Sequence, residues 1–132
     1  MAEYLLDTNV LSDLVKNPFG RVAGRVDTDG EKAALSLITV GEILYGLRKR
    51  PSPRLSAMLL ETIARFPALA WDSPAEERYA QLRAELERRG TPIGANDMLI
   101  AAHALALDCI LVTANEREFR RVPGLKVENW AA

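Results

Sequence analysis

Two kinds of apolar pattern alternate along the chain. Short runs occur at Glu3-Tyr4-Leu5-Leu6, Ala33-Ala34-Leu35-Ser36, Ala68-Leu69-Ala70-Trp71, Cys109-Ile110-Leu111-Val112 and Leu125-Lys126-Val127-Glu128. Runs of this length read as strands buried on both faces. Between them, apolar positions recur at helical spacing. Leu55, Met58, Leu59, Ile63 and Phe66 form one stripe. Ala75, Tyr79, Leu82 and Leu86 form another, which Gly90 and Pro92 stop. Val10 to Val15 reads as a short helix. Asn96 to Leu107 is apolar over most of its circumference, as a central buried helix is. Asp27-Thr28-Asp29-Gly30 and Arg50-Pro51-Ser52-Pro53 carry the strongest loop signals. The alternation predicts an α/β sandwich, with a mainly parallel central sheet of about five strands flanked by helices on both sides. No repeat or long linker interrupts it, so residues 1–132 are expected to form a single domain.

Composition narrows the chemistry. Apolar residues make up 48% and charged residues 27%, with a net charge of -1, which excludes a strongly basic wrapper of nucleic acid. The single cysteine, Cys109, and single histidine, His103, exclude a multi-Cys or multi-His metal centre within one chain. Both read as packing residues of the interior. The apolar run at the N-terminus is too short for a signal peptide, and no stretch reaches the ~20 residues of a membrane span. The expected compartment is the cytoplasm.

Three acids stand at strand ends or helix starts. Asp7 follows the first strand, at the sheet edge where open α/β folds bind ligands, although it also suits an N-cap of the next helix. Glu42 ends Thr39-Val40-Gly41-Glu42, which has capping-box spacing; Ser73-Pro74-Ala75-Glu76 has the same spacing and shows how common the pattern is. Asp97 opens the most apolar helix, where the helix dipole favours an acid by ~0.3–1 kcal/mol. Each has a structural explanation when taken alone. Together they would share one edge of a parallel sheet. Ionised carboxylates ~6 Å apart repel by about 3 kcal/mol at an effective dielectric near 20. Three such pairs approach the ~5–15 kcal/mol stability of a domain. Such a cluster requires a cation or shifted pKa values, and an all-oxygen donor set favours Mg²⁺ or Mn²⁺. Thr113 and Asn115 leave the fourth strand at the same edge, with Glu116 and Glu118 in what reads as a polar loop. Arg48, Lys49, Arg50 and Arg54 form one basic cluster, and Arg117, Arg120 and Arg121 another.

An ordered set of segments carries a resemblance. It comprises Leu5-Leu6-Asp7-Thr8-Asn9, Thr39-x-x-Glu42-Ile43-x-x-Gly46, Asn96-Asp97-x-x-Ile100-Ala101, Leu111-Val112-Thr113-x-Asn115-x-x-Glu118-Phe119 and the ending from Val122 to Trp130. Over nearly its whole length the chain resembles PIN domains, specifically the VapC toxins of type II toxin–antitoxin modules and their FitB-like relatives. The resemblance implies a Mg²⁺-dependent endoribonuclease, with Mn²⁺ as a possible substitute. It implies Asp7, Glu42, Asp97 and Asn115 as catalytic residues, Asp7 and Asp97 as metal ligands, and Thr8, Asn9, Thr113 and Glu118 in support. Where the family often has a fourth acid, this chain has Asn115 with Glu118 nearby. Arg48, Arg50 and Arg117 are candidate RNA contacts, in a chain that uses 13 Arg against 4 Lys. The implied partners are an RNA substrate, a cognate antitoxin and a second copy of the chain; operator DNA is reached only through the antitoxin, and no membrane is involved.

Two other readings compete. A receiver-like phosphoacceptor domain would use Asp7, Asp72 and Thr113. It is opposed by the single acid after the first strand and by Lys126 lying within the last strand. A non-catalytic PIN-fold binding module would keep the fold without the cleavage.

Overall fold

Leu5 and Leu6 are both fully buried and point to opposite faces of one strand. That strand, β1 (Tyr4–Leu6), therefore needs a covering layer on each side. It is the central strand of a five-stranded sheet with β2 (Ala33–Ser36), β3 (Ala68–Leu69), β4 (Ile110–Val112) and β5 (Val127–Glu128). The order is β3-β2-β1-β4-β5, and every pairing is parallel. Leu5 lies opposite Leu111 and Leu6 opposite Val112, so the alternation carries across strands. The computed structural model describes all 132 residues.

Leu5 and Leu111 pack on Leu82, Leu86, Met98, Ile100 and Phe119, which belong to α5 (Ala75–Arg89), α6 (Ala95–Leu107) and α7 (Glu116–Phe119). Leu6 and Val112 pack on Val10, Leu11, Val22, Val26, Ile43 and Leu59 on the other face. Those come from α1 (Thr8–Lys16), α2 (Arg21–Asp29), α3 (Leu37–Lys49) and α4 (Pro53–Ile63). The expected sandwich is present, with helices on both faces.

Several boundaries differ from the sequence reading. Four strands are shorter than their apolar runs, whereas β2 (Ala33–Ser36) matches its run. Asp27-Thr28-Asp29 has turn composition yet lies in α2, where Val22 and Val26 bury one side at i, i+4 spacing. Helix α3 starts at Leu37 rather than after Thr39. Its cap is Ser36, whose Oγ accepts from the Ile38 N–H at 3.1 Å. Thr39 is therefore a buried helical residue, and Glu42 stands in the second turn. Helix α5 has no side-chain cap at its start, so Ser73 builds no capping box there. Phe66 lies beyond the end of α4 but is buried all the same. The stretch after Asn115 forms α7 instead of a loop, because Phe119 is fully buried and pulls its segment onto the core. No helix is long and apolar enough to cross a membrane.

Candidate active site

The parallel sheet sends the ends of β1, β2 and β4 to one edge, and a polar cleft of about 540 Å³ opens there. Asp7, Thr8, Asn9, Glu42, Asp97 and Asn115 line it, joined by Ser12, Asp13, Lys16 and Asn17 along one side of α1; none of the ten is hydrophobic. Three segments distant in sequence thus bring the three predicted carboxylates into one cleft, and a fourth adds Asn115.

Asp7 is the most tightly held of them. Its main-chain N–H still pairs with Val112 at 2.9 Å, which extends the β1–β4 ladder to the site. Its Oδ1 accepts from the Thr8 N–H at 2.8 Å, so the capping reading holds too. Its Oδ2 accepts from Thr113 Oγ1 at 2.9 Å and Asn9 Nδ2 at 3.2 Å. Asn9 also donates to Thr113 Oγ1 at 3.1 Å and accepts from the Ala114 N–H at 2.9 Å. Asn9 and Thr113 therefore clamp the loop after β4 to the end of β1. Burial raises the Asp7 pKa, and the donors from Thr8, Thr113 and Asn9 only partly offset this.

Burial also raises the pKa of Glu42, and the Asp7 charge adds to the effect, while Asn96 and Thr8 act in the opposite direction. Glu42 Oε1 and Thr8 Oγ1 are buried without a hydrogen-bond partner. Asp97 is the third residue of α6 and the most perturbed: burial, then the charges of Asp7, Glu118 and Glu42, push it up to about 6. A Cβ on Gly94 would come 3.3 Å from Asp97 Oδ2, so the chain passes close beneath this carboxylate. Eight ion pairs decorate the protein, and none involves Asp7, Glu42 or Asp97.

Asn115 and Glu118 take different parts. Glu118 Oε2 accepts from Asn115 Nδ2 at 2.6 Å, and its Oε1 accepts from the Gly94 N–H at 3.1 Å. Both oxygens are engaged by the protein, so Glu118 ties the start of α6 to the start of α7. Asn115 is thereby oriented with its amide nitrogen toward Glu118, and it lines the cleft.

The donor set fits a hard divalent cation. It is all oxygen, burial raises the pKa values of its acids, with neighbouring carboxylates adding to this at Glu42 and Asp97, and two buried oxygens lack partners. No three acids come within coordinating reach of one point. That suits Mg²⁺, which commonly keeps several waters and takes one or two carboxylates.

Arg48, Arg50 and Arg117 are exposed and lie outside the cleft lining; Arg117 is two residues past Asn115, whereas Arg48 and Arg50 sit at the far end of α3. The cleft's one basic side chain is Lys16, which sequence reasoning missed. The available signal was the polar series Thr8, Ser12, Lys16 at i, i+4 spacing. Asp72, the alternative phosphoacceptor, is exposed and does not line the cleft.

Comparison with known proteins agrees with this fold. The PIN domain profile matches residues 4–125. The tRNA(fMet)-specific endonuclease VapC of Salmonella typhimurium is 37% identical, over 98% of this chain and 99% of that protein. Ribonuclease VapC2 of Haemophilus influenzae is 36% identical over the same shares. The crystal structure of DNA-bound VapBC from Salmonella typhimurium superposes with a TM-score of 0.92, at 37% identity and with 98% and 99% of the two chains covered. FitAcB from Neisseria gonorrhoeae superposes with a TM-score of 0.83, at 30% identity over 96% and 97%. The fold is that of a PIN domain. The chain belongs to that family, within its VapC group.

Proposed function

We propose that the chain is a Mg²⁺-dependent endoribonuclease and the toxin of a toxin–antitoxin module. The observation that carries this reading is the cleft itself: three carboxylates with raised pKa values face one space and have no cationic partner. Asp7 and Asp97 would hold the cation. When bound, it supplies positive charge to phosphate oxygens and makes water a better nucleophile near neutral pH. Asp7 is oriented by Thr8, Asn9 and Thr113. Asn115, oriented by Glu118, offers a neutral oxygen where a further acid would add repulsion. Glu42, with one oxygen free, accepts the proton of the attacking water. Lys16 and Arg117 would neutralise phosphates on either side.

The named activity of the Salmonella typhimurium and Shigella flexneri relatives makes tRNA(fMet) the first substrate to test. The VapBC and FitAB structures support a cognate antitoxin as partner. Exposed apolar side chains on α3, Leu37 at 47% and Tyr45 at 65%, add uncovered surface of the kind partners bury, whether antitoxin or a second copy.

The test is cleavage of tRNA(fMet) and of a total RNA pool, with Mg²⁺, Mn²⁺ or EDTA, by the wild type and by Asp7→Asn and Asp97→Asn. Metal-dependent cleavage lost in both variants is the expected result. Equal cutting by all three proteins, or none with any divalent ion, would overturn the nuclease reading and leave a PIN-fold binding module.

A further inference from the structure

His103 is 1% exposed, and no step above uses it. It lies six residues past Asp97 in α6, and its Nδ1 is 2.8 Å from Ser36 Oγ. Ser36 is the last residue of β2 and the cap of α3, and Glu42 follows it by six residues. Two contacts therefore join α3 and α6. At one end Ser36 meets His103; at the other, Glu42 lies beside Asn96, next to Asp97. The helices pass in opposite senses, each carrying a member of the buried pair six residues along from its carboxylate.

The hydrogen bonding has a direction. Burial favours a neutral imidazole with one N–H. The Ala70 main chain favours a proton on the ring, whereas Nε2 lacks a partner in hydrogen-bonding geometry. With the proton on Nε2, Ser36 Oγ donates to Nδ1 while accepting from the Ile38 N–H. The serine hydroxyl then fixes the first turn of α3 and the middle of α6 at once. A slip of one helix along the other would have to break this buried pair.

We infer that Ser36 and His103 are positioning residues that set the separation of Glu42 and Asp97 across the cleft. This rests on the cation-dependent reading above, but its geometric content can be tested without it. The pair fixes the two packed helices against each other about 9 Å along from the proton acceptor Glu42 and the cation ligand Asp97, so it holds their separation across the cleft.

The experiment measures Mn²⁺ affinity by calorimetry, RNA-cleavage kinetics and metal-free crystal structures for wild type, His103→Leu, His103→Asn, Ser36→Ala and the Ser36→Ala/His103→Leu double variant. His103→Leu and Ser36→Ala should each weaken Mn²⁺ binding about tenfold and lower kcat, with the RNA KM unchanged. His103→Asn, whose amide can take the place of Nδ1, should recover most of the affinity. The double variant should be no worse than either single one, because the two residues act as a unit. Wild-type Mn²⁺ affinity in a folded His103→Leu, or fully additive losses in the double variant, would overturn the inference. If the wild type binds no Mn²⁺ and cuts no RNA, the functional reading fails, and the crystal structures then decide the positioning role alone. Displacement of Glu42 against Asp97 by about 1 Å in His103→Leu supports it, and an unmoved pair sinks it.

Discussion

Glu116 and Asp97 stand at the same edge of the sheet, and their surroundings drive them in opposite directions. Glu116 accepts from Arg120 at 2.8 Å and Asn129 at 3.0 Å, which lower its pKa. Asp97 has no such donor, and burial with three neighbouring carboxylates raises it to about 6. The arginines at 25, 83, 88, 89 and 120 balance acids elsewhere and leave the cleft alone. Acidity by itself marks nothing; acids left without the positive charge that the rest of the molecule supplies mark the site.

This contrast can be broken, most severely by neutralising its cleft side. Asp97→Asn should lower RNA cleavage at least about 100-fold while raising the metal-free melting temperature by about 3–5 °C, because it removes a charge disfavoured by burial and by repulsion. Glu116→Gln should leave cleavage within about twofold and slightly lower the melting temperature. Cleavage kinetics and thermal unfolding in EDTA check both, and a destabilised Asp97→Asn would refute the repulsion argument.

The pH dependence sharpens the same point. Asp97 titrates near 6 when folded, against about 3.9 when unfolded, so the folded chain holds this proton more tightly. Its stabilising effect is complete below about pH 4, is lost between about 4 and 6, and stays lost above. The melting-temperature gap between Asp97→Asn and wild type should therefore open as pH rises from 4 to 7. His103, held neutral by burial, shifts in the opposite sense but cancels in this difference. Added Mg²⁺ should raise the wild-type melting temperature at pH 7.5 and hardly at pH 5, where protons compete.

Smaller effects test the supports. In Glu118→Gln the new amide N–H either faces the Gly94 N–H or turns the Asn115 amide so that its nitrogen replaces its oxygen toward the cleft, so cleavage should fall about tenfold with little change in melting. Lys16→Ala and Arg117→Ala should each raise KM a few-fold at unchanged kcat and flatten the salt dependence of RNA binding by about one unit of slope.

The sheet was readable because parallel strands buried on both faces leave unbroken apolar runs, as Leu5-Leu6 and Leu111-Val112 do. Asp7 and Asp97 were readable because a strand end and a helix start are local features. Glu42 was legible only as one of a set of acids, and the cap assigned to its helix, Thr39, was mistaken. The true one, Ser36, was hidden inside an apolar run because its partner His103 is 67 residues away. Helix α2 and the Glu118 tie were missed for similar reasons: turn-like composition was overridden by Val22 and Val26, and a carboxylate gained its role from Gly94 across the fold. What escaped the sequence was decided by contacts between distant segments.

The hydrogen bonds around Asp7 have a practical consequence for trapping experiments. Both its oxygens accept, and Thr113 Oγ1 already accepts from Asn9 Nδ2 and the Asn115 N–H. An amide at position 7 would confront filled acceptors and strain the clamp. Asp97 accepts nothing in that lattice of bonds, so its amide form is the better inert decoy for capturing uncut RNA on a properly folded surface.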